Sequence, residues 1–213
     1  MAEQNRGLRA VLAQPRVYDA FQRALGATNV ERVFVDRLLR GAPPRPRVLD
    51  IGCGPGDVLE AMPAVDYVGF DVSERYIASA RERFGARGRF FVGDVTRVDM
   101  HELGPFDRIA AKGVLHHLDD EEASHLLRAA AAALAPGGRL ATLDGCFSDG
   151  QGRVSRFVVG RDRGQNIRTS AGYAALAREW FDLVDVIEYD DLLRIPYSHC
   201  VLECTRPRTR PDA

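Results

Sequence analysis

The sequence predicts an α/β fold, with a mostly parallel sheet between two layers of helices. Three observations carry this. From Arg47 to Gly145 short apolar runs alternate with segments of helical periodicity, the pattern of strands joined by crossover helices. The first apolar run leads into Gly52, Gly54 and Gly56, a density of glycine that suits a tight turn and neither a strand nor a helix. The chain has 213 residues, 46% hydrophobic and 28% charged, enough for one domain with a substantial core.

Taken in order, "RVYDAFQRALG" (16–26) and "NVERVFVDRLLRG" (29–41) have helical spacing, the second with a stripe of Val30, Val33, Phe34 and Leu38. "APPRPR" stops it, because proline cannot continue a helix. "RVLDIG" (47–52) is the first strand, and a helix runs from about Asp57 to Met62. "DYVGFDV" (66–72) is the second strand, followed by a helix that Ser73 caps and Gly85 ends. "RFFVGDV" (89–95) and "FDRIAAKG" (106–113) are the third and fourth strands. Asp119 and Glu122 form a capping box for an alanine-rich helix that "PGG" (136–138) ends, and "RLATLDG" (139–145) is the fifth strand. Residues 146–168 read as an irregular, charged insertion. A helix capped by Thr169 or Ser170 follows, then strands "LVDVIEYDDLL" (183–193) and "HCVLECT" (199–205). The expected organisation is a helical segment over residues 1–45 that closes over a bound ligand, a domain over 46–206, and a flexible tail over 207–213.

Several function classes fall away. A net charge of -1 gives no bulk attraction to nucleic acid or to an anionic membrane. Cys53, Cys146, Cys200 and Cys204 make neither a CxxC pair nor a zinc spacing, so no metal site is expected and the chain reads as reduced and cytoplasmic. The first residues lack a secretory pattern, and no segment approaches the ~18 consecutive apolar residues of a membrane span.

In open parallel sheets ligands lie beyond the carboxyl ends of the strands, so the glycine turn is the place to look. It does not fit a dinucleotide: read from Gly52 or from Gly54, the last glycine of G-x-G-x-x-G falls on Asp57 or on Leu59. Asp57 is also a carboxylate at a helix N-terminus, where a pyrophosphate would sit. No Gly-Lys-Ser/Thr follows, so the turn is no P-loop. Asp71 lies nineteen residues past Gly52, close to the ~20 expected of an acid on ribose hydroxyls. Asp94 ends the third strand, and with the Val95 N–H it suits an adenine edge. Asp50 adds a negative charge near the turn. Each acid alone is an ordinary strand-end carboxylate; together with the glycines they describe a pocket for an adenosine without phosphates, carrying a positive or zwitterionic group.

"VLDIGCGPG", "YVGFDVSERYIASAR", "GDV", "GVLHHL" and "LAPGGRLATLDG", in this order and spacing, resemble the class I S-adenosylmethionine-dependent methyltransferases. The resemblance is strong over residues 46–145. It implies a three-layer αβα Rossmann-like fold of seven strands in the order 3-2-1-4-5-7-6, the seventh strand antiparallel. It implies S-adenosylmethionine as cofactor and S-adenosylhomocysteine as product. Gly52, Cys53, Gly54 and Gly56 would surround the methionine part, Asp71 and Val72 the ribose end, and Asp94 and Val95 the adenine. The backbone at Ala111 and Lys112 would meet the cofactor's amino group, although the family usually has a smaller or acidic residue at the Lys112 position.

A sulfonium methyl group is already activated, so the protein mainly aligns a nucleophile and excludes water. For a hydroxyl acceptor a base helps, and His117, then His116, are the catalytic candidates. Tyr18, Tyr197 and His199 are candidates for contact with the acceptor, Arg16 beside Tyr18 reads as a surface residue, and Arg153, Arg156, Arg161, Arg163 and Arg168 either select an anionic acceptor or form a solvated face. The function expected is methyl transfer to a small molecule, at oxygen first and then nitrogen or carbon, by a monomer or homodimer. The alternatives are another reaction on the same fold, such as cyclisation, and a non-catalytic cofactor-binding partner.

Overall fold

The computed structural model describes residues 26–94, 97–162 and 164–208. The expected helix over residues 16–26, with Arg16 and Tyr18, lies outside these apart from Gly26, as do Val95, Arg163 and residues 209–213.

Helix α1 (Ala27–Leu39) buries Val30, Phe34, Val35 and Leu38. It packs against the sheet in one hydrophobic cluster with Val48, Ala110, Ala141, Leu143 and Val201. Residues 27–39 therefore contribute a layer of the core. The reason is the apolar stripe itself: burying a side chain such as Phe34 or Leu38 stabilises the fold by about 1.5–3 kcal/mol.

Strand β1 (Arg47–Ile51) feeds the glycine turn, and helix α2 (Asp57–Glu60) follows. It ends two residues before Met62, the residue ahead of Pro63, which proline disfavours in a helix. Strand β2 (Asp66–Asp71) leads to helix α3 (Glu74–Phe84), where Ser73 accepts a hydrogen bond from the Tyr76 N–H. Strand β3 (Gly88–Val92) ends before Asp94, which sits in the loop. After the short helix α4 (Met100–Leu103) come strand β4 (Phe106–Lys112), a 3₁₀ turn (Leu115–His117) and helix α5 (Asp120–Ala133) with the expected capping box.

Helix α5 stops at Ala133, not at the glycine pair, and strand β5 (Leu134–Gly145) begins at once. Leu134 is extended ahead of Ala135 and Pro136 and pairs with Phe106, with a register shift before Arg108 meets Arg139. The insertion is not wholly irregular, since it contains helix α6 (Arg153–Val159). Helix α7 (Ser170–Arg178), capped by Thr169, precedes strands β6 (Phe181–Tyr189) and β7 (His199–Pro207). Pro207 belongs to β7, and Arg208 donates its backbone N–H to Trp180 and its side chain to Asp182, so these two are not tail.

The sheet order is β3-β2-β1-β4-β5-β7-β6. Strands β1 to β5 are parallel to one another, and β7 is antiparallel to both β5 and β6. Chain order reverses between β1 and β4, which opens a crevice at their carboxyl ends. One hydrophobic cluster fills the face under α5 and α7 and the other the face under α1 and α3.

Candidate active site

The glycine turn is built from backbone. Gly52, Gly54 and Gly56 have φ of 67°, 53° and 89°, the left-handed region that side chains disfavour. A Cβ at Gly52 would lie 2.8 Å from Val114, and one at Gly56 would lie 2.8 Å from the Phe84 ring. At Gly54 a Cβ would meet nothing within 4 Å. The open face of the turn is therefore at Gly54.

Asp71 anchors this turn to the end of β2. Its Oδ2 accepts from the Gly54 N–H at 3.0 Å and its Oδ1 from the Ser73 N–H at 2.8 Å. Each oxygen keeps a lone pair for a further donor. Val72 beside it is 66% exposed, an apolar platform at the crevice edge. Asp94 is half-buried at the neighbouring strand end.

Asp50 and Cys53 differ from the sequence expectation in kind. Asp50 is 1% exposed and accepts from the Tyr67 hydroxyl at 2.6 Å, while its Oδ1 has no partner among the described residues. Burial lifts its carboxyl to about 7, against the Tyr67 hydrogen bond and the Lys112 charge. It lies beneath the crevice and is not a standing surface charge. Cys53 is buried, its sulfur filling the space above Gly69, and burial pushes the thiol up. It offers backbone and packing, not a thiolate. Lys112 ends β4 in an ion pair with Glu31 of α1. The pair accounts for a cation where a smaller or acidic residue is usual.

Past β4 the 3₁₀ turn carries both histidines. His116 is 8% exposed, with Nδ1 2.8 Å from Asp144 Oδ1 at the end of β5. The same oxygen accepts from the His116 backbone N–H at 3.2 Å. Burial, which lowers the imidazole's pKa, is outweighed by the Asp144 hydrogen bond and charge and by Asp162, so it is raised overall. The His117 ring lies 4.1 Å away and is exposed; what burial it has, and then the His116 charge, hold its pKa down.

Residues 164–168 strap this turn in place. A Cβ at Gly164 would lie 2.1 Å from His116 Cδ2, so only glycine lets the strap approach. Asn166 donates its N–H to the His116 carbonyl, and Arg168 donates to the carbonyls of Leu115 and Leu118 and pairs with Asp120. Arg156 stacks over Phe147 and Arg161 over Phe157. These three arginines serve internal contacts.

Tyr197 and His199 reach the same end of the sheet. The Tyr197 hydroxyl donates to Asp162, and its ring lies 4.7 Å from His199. A Cβ at Gly145 would lie 2.1 Å from that hydroxyl, so the glycine makes room for it. His199 is 6% exposed with Nδ1 unpartnered among the described residues. Burial, then the Lys112 charge, lowers it to about 4, so it is neutral at pH 7. Asp162 acts on all three histidines. His116, His117, Tyr197 and His199 thus converge, while Tyr18 lies outside the described residues.

A family model described as a methyltransferase domain matches residues 48–138, the stretch from β1 through α5. Over that stretch, less than half of the chain, the sequence is similar to a methyltransferase domain. Over 103 residues it is 41% identical to a trans-aconitate 2-methyltransferase of Variovorax paradoxus, covering 46% of this chain and 38% of that protein. Over 119 residues it is 31% identical to a ubiquinone biosynthesis O-methyltransferase of Bordetella avium, covering 54% of this chain and 48% of the relative. The chain thus spans less than half the length of either relative. Among solved structures, a TehB-like S-adenosylmethionine-dependent methyltransferase from Corynebacterium glutamicum matches with a TM-score of 0.62 at 19% identity, covering 90% of this chain and 97% of that one. The [4+2]-cyclase SpnF matches with a TM-score of 0.67 at 19% identity, covering 85% and 82%. At these identities the structures speak for the fold.

The crevice also holds functional candidates that sequence reasoning missed. Asp144 is next to last in β5 and Asp71 is last in β2, and the same reading of strand-end acids would find it. Asp162, Gly145, Gly164 and Glu31 carry no such signal, because only the fold brings them to the crevice. Among the described residues no cluster of His, Cys, Asp and Glu could hold a metal ion, and no helix is long and apolar enough to cross a membrane.

Proposed function

We propose that this chain transfers the methyl group of S-adenosylmethionine to a small-molecule acceptor, at oxygen first and then at nitrogen or carbon. The observation that carries the reading is the glycine turn at the switch point. It has three left-handed glycines, an open face at Gly54 and an anchoring acid at Asp71, within a stretch that matches the methyltransferase model. The unpartnered Oδ1 of Asp50 under the turn suits a ligand with a cationic or donor group.

In this reading Gly52, Cys53, Gly54 and Gly56 hold the methionine part through backbone, above Asp50 and beside the Lys112 backbone. Asp71 and Val72 hold the ribose end, and Asp94 and Val95 the adenine. When bound, the cofactor supplies an activated methyl carbon and leaves as S-adenosylhomocysteine. The residues of the chain orient the acceptor, exclude water and take up its proton: His117 or His116 serves as the base, and Tyr18, Tyr197 and His199 line the acceptor side. The preference for oxygen is supported by the relatives named as ubiquinone biosynthesis O-methyltransferases. The reading includes a cytoplasmic monomer or homodimer that acts on a small molecule and not on nucleic acid, in keeping with a net charge of -1.

Calorimetry tests the cofactor: heat is expected with S-adenosylmethionine and S-adenosylhomocysteine, and none with a dinucleotide. Mass spectrometry of a hydroxyl and carboxylate acceptor panel tests the reaction, with products heavier by one methyl group. Products of unchanged mass would turn the reading towards an isomerising reaction such as cyclisation. Tight binding with no turnover and a captured protein would turn it towards a binding partner.

A further inference from the structure

We infer that the Glu31–Lys112 ion pair reads a zwitterionic acceptor: Lys112 takes its carboxylate and Glu31 its ammonium group. This rests on the methyl-transfer reading and deepens it. It names the class of acceptor, an amino acid or a compound that carries the same two charges.

The pair stands on the acceptor side of the crevice. Alternation along a strand puts every second residue on one face. Ala110, Leu143 and Val201 share one cluster with the buried side of α1. Lys112, Gly145 and His199 are each two residues from one of these, so they lie on the same face. Lys112 is in register with Leu143, and Gly145 with His199. Gly145 thus lies between Lys112 and His199 with no side chain, and the Tyr197 hydroxyl approaches its place. Glu31 reaches Lys112 from α1. Two residues earlier, Asn29 donates its side-chain amide to the Leu192 carbonyl at 3.2 Å. This end of α1 is therefore tied to the connection between β6 and β7, and so is the pair it carries.

The chemistry of the pair fits a ligand with both charges. Lys112 keeps 25% and Glu31 12% of the side-chain surface open. An ammonium has three donors and a carboxylate about four acceptor sites. Lys112 Nζ bonds Glu31 Oε1 and no other atom among the described residues, so both groups have room for further bonds. Helix α1 does not need the pair as a fastener, because Val30, Phe34, Val35 and Leu38 already bury its apolar stripe. A partly buried ion pair is also a weak source of stability. A ligand with a single charge would satisfy one half of the pair and oppose the other. A zwitterion presents the opposite charge to each half and leaves the site without a net change. His199 is neutral at pH 7 and repels neither group. The other charges that face this row are Asp50 under the glycine turn, on which Lys112 acts, and Asp162 of the insertion, which acts on His199. An ammonium held by Glu31 has no lone pair, so the attacking atom belongs to a third group, in keeping with a hydroxyl.

Calorimetry on the chain loaded with S-adenosylhomocysteine tests this with two series of probes. One is free tyrosine, tyramine, which lacks the carboxylate, and phloretate, which lacks the amine. The other is free serine, ethanolamine and hydracrylate, related in the same way. In at least one series the zwitterion should bind about ten-fold or more tighter than both truncated forms. Lys112→Met should make the zwitterion and the amine bind alike. Glu31→Gln should make the zwitterion and the acid bind alike. A pair that only fastened α1 would not exchange these preferences. In the wild-type chain, no heat from either zwitterion, or equal binding of a truncated form, overturns the proposal even if the variants fail to fold. So does a Lys112→Met chain that loses as much affinity for S-adenosylhomocysteine as for the zwitterion, since the pair would then serve the cofactor's own amino-acid end. Heat with S-adenosylhomocysteine on the wild-type chain tests the cofactor reading separately.

Discussion

Replacing Gly54 by alanine separates the folding role of the glycine turn from its binding role. Gly54 has φ 53°, and a Cβ there would meet no atom of the chain within 4 Å. The folded state then bears only left-handed strain, about 1–2 kcal/mol. For a domain of this size that is a fall of roughly 2–8 °C in Tm. The added methyl would stand on the face where the ligand backs onto bare peptide. Overpacking at a close contact costs about 1–3 kcal/mol, a rise in Kd of roughly five- to 150-fold. Gly137→Ala is the control, since Gly137 has φ 77°, also meets nothing within 4 Å, and sits near the start of β5 at the opposite end of the sheet. Scanning calorimetry and titration with S-adenosylhomocysteine measure the two effects. Equal Kd values for Gly54→Ala and Gly137→Ala would refute the placement of the ligand over the turn.

Phe34→Ala should destabilise the fold by about 3–5 kcal/mol in denaturant titrations, because Phe34 is fully buried under the sheet; a near-neutral result would contradict the packing of α1 on the sheet. His199 is held down to about 4 by burial, so between pH 6.5 and 4 the unfolded chain binds its proton and the folded chain does not. Stability should fall as pH drops through that window, by on the order of 3 kcal/mol in full; His199→Phe should flatten this part of the curve, and an unchanged slope would contradict the burial. Arg168→Ala removes the donors to Leu115 and Leu118, so hydrogen exchange should speed up over residues 115–118 and stay unchanged in β1.

The sequence carries the parallel half of the sheet well, because a strand buried on both faces and a glycine turn behind it leave local marks. Asp50, Gly52, Gly54, Gly56 and Asp71 are all found that way. What local pattern does not carry is burial by distant elements. The stripe on α1 announces a helix, but whether that stripe meets the sheet or covers a ligand depends on residues over a hundred positions away, such as Ala141 and Val201. The alanine run of α5 favours helix up to Leu134, yet pairing of Leu134 with Phe106 takes that residue into β5. Helix α6 has no side-chain cap and is flanked by Gly152 and Gly160, so its start and stop read as loop. The Asp144–His116 pair spans 28 residues and needs the β4–β5 register to exist.

The reversal of β7 explains how residues so late in the chain reach the crevice. Had β7 run parallel, its last residues would lie at the carboxyl end of the sheet and its first residues at the far end. Running antiparallel, it brings its first residue, His199, opposite Gly145, the last residue of β5. Tyr197, two residues earlier, then overhangs the end of β5, and the missing side chain of Gly145 lets its hydroxyl cross to Asp162. Asp162 in turn acts on the two histidines that follow β4. One strand direction and one absent side chain thus join three loops around the same few ångströms, and a side chain at position 145 should part them while leaving the glycine turn intact.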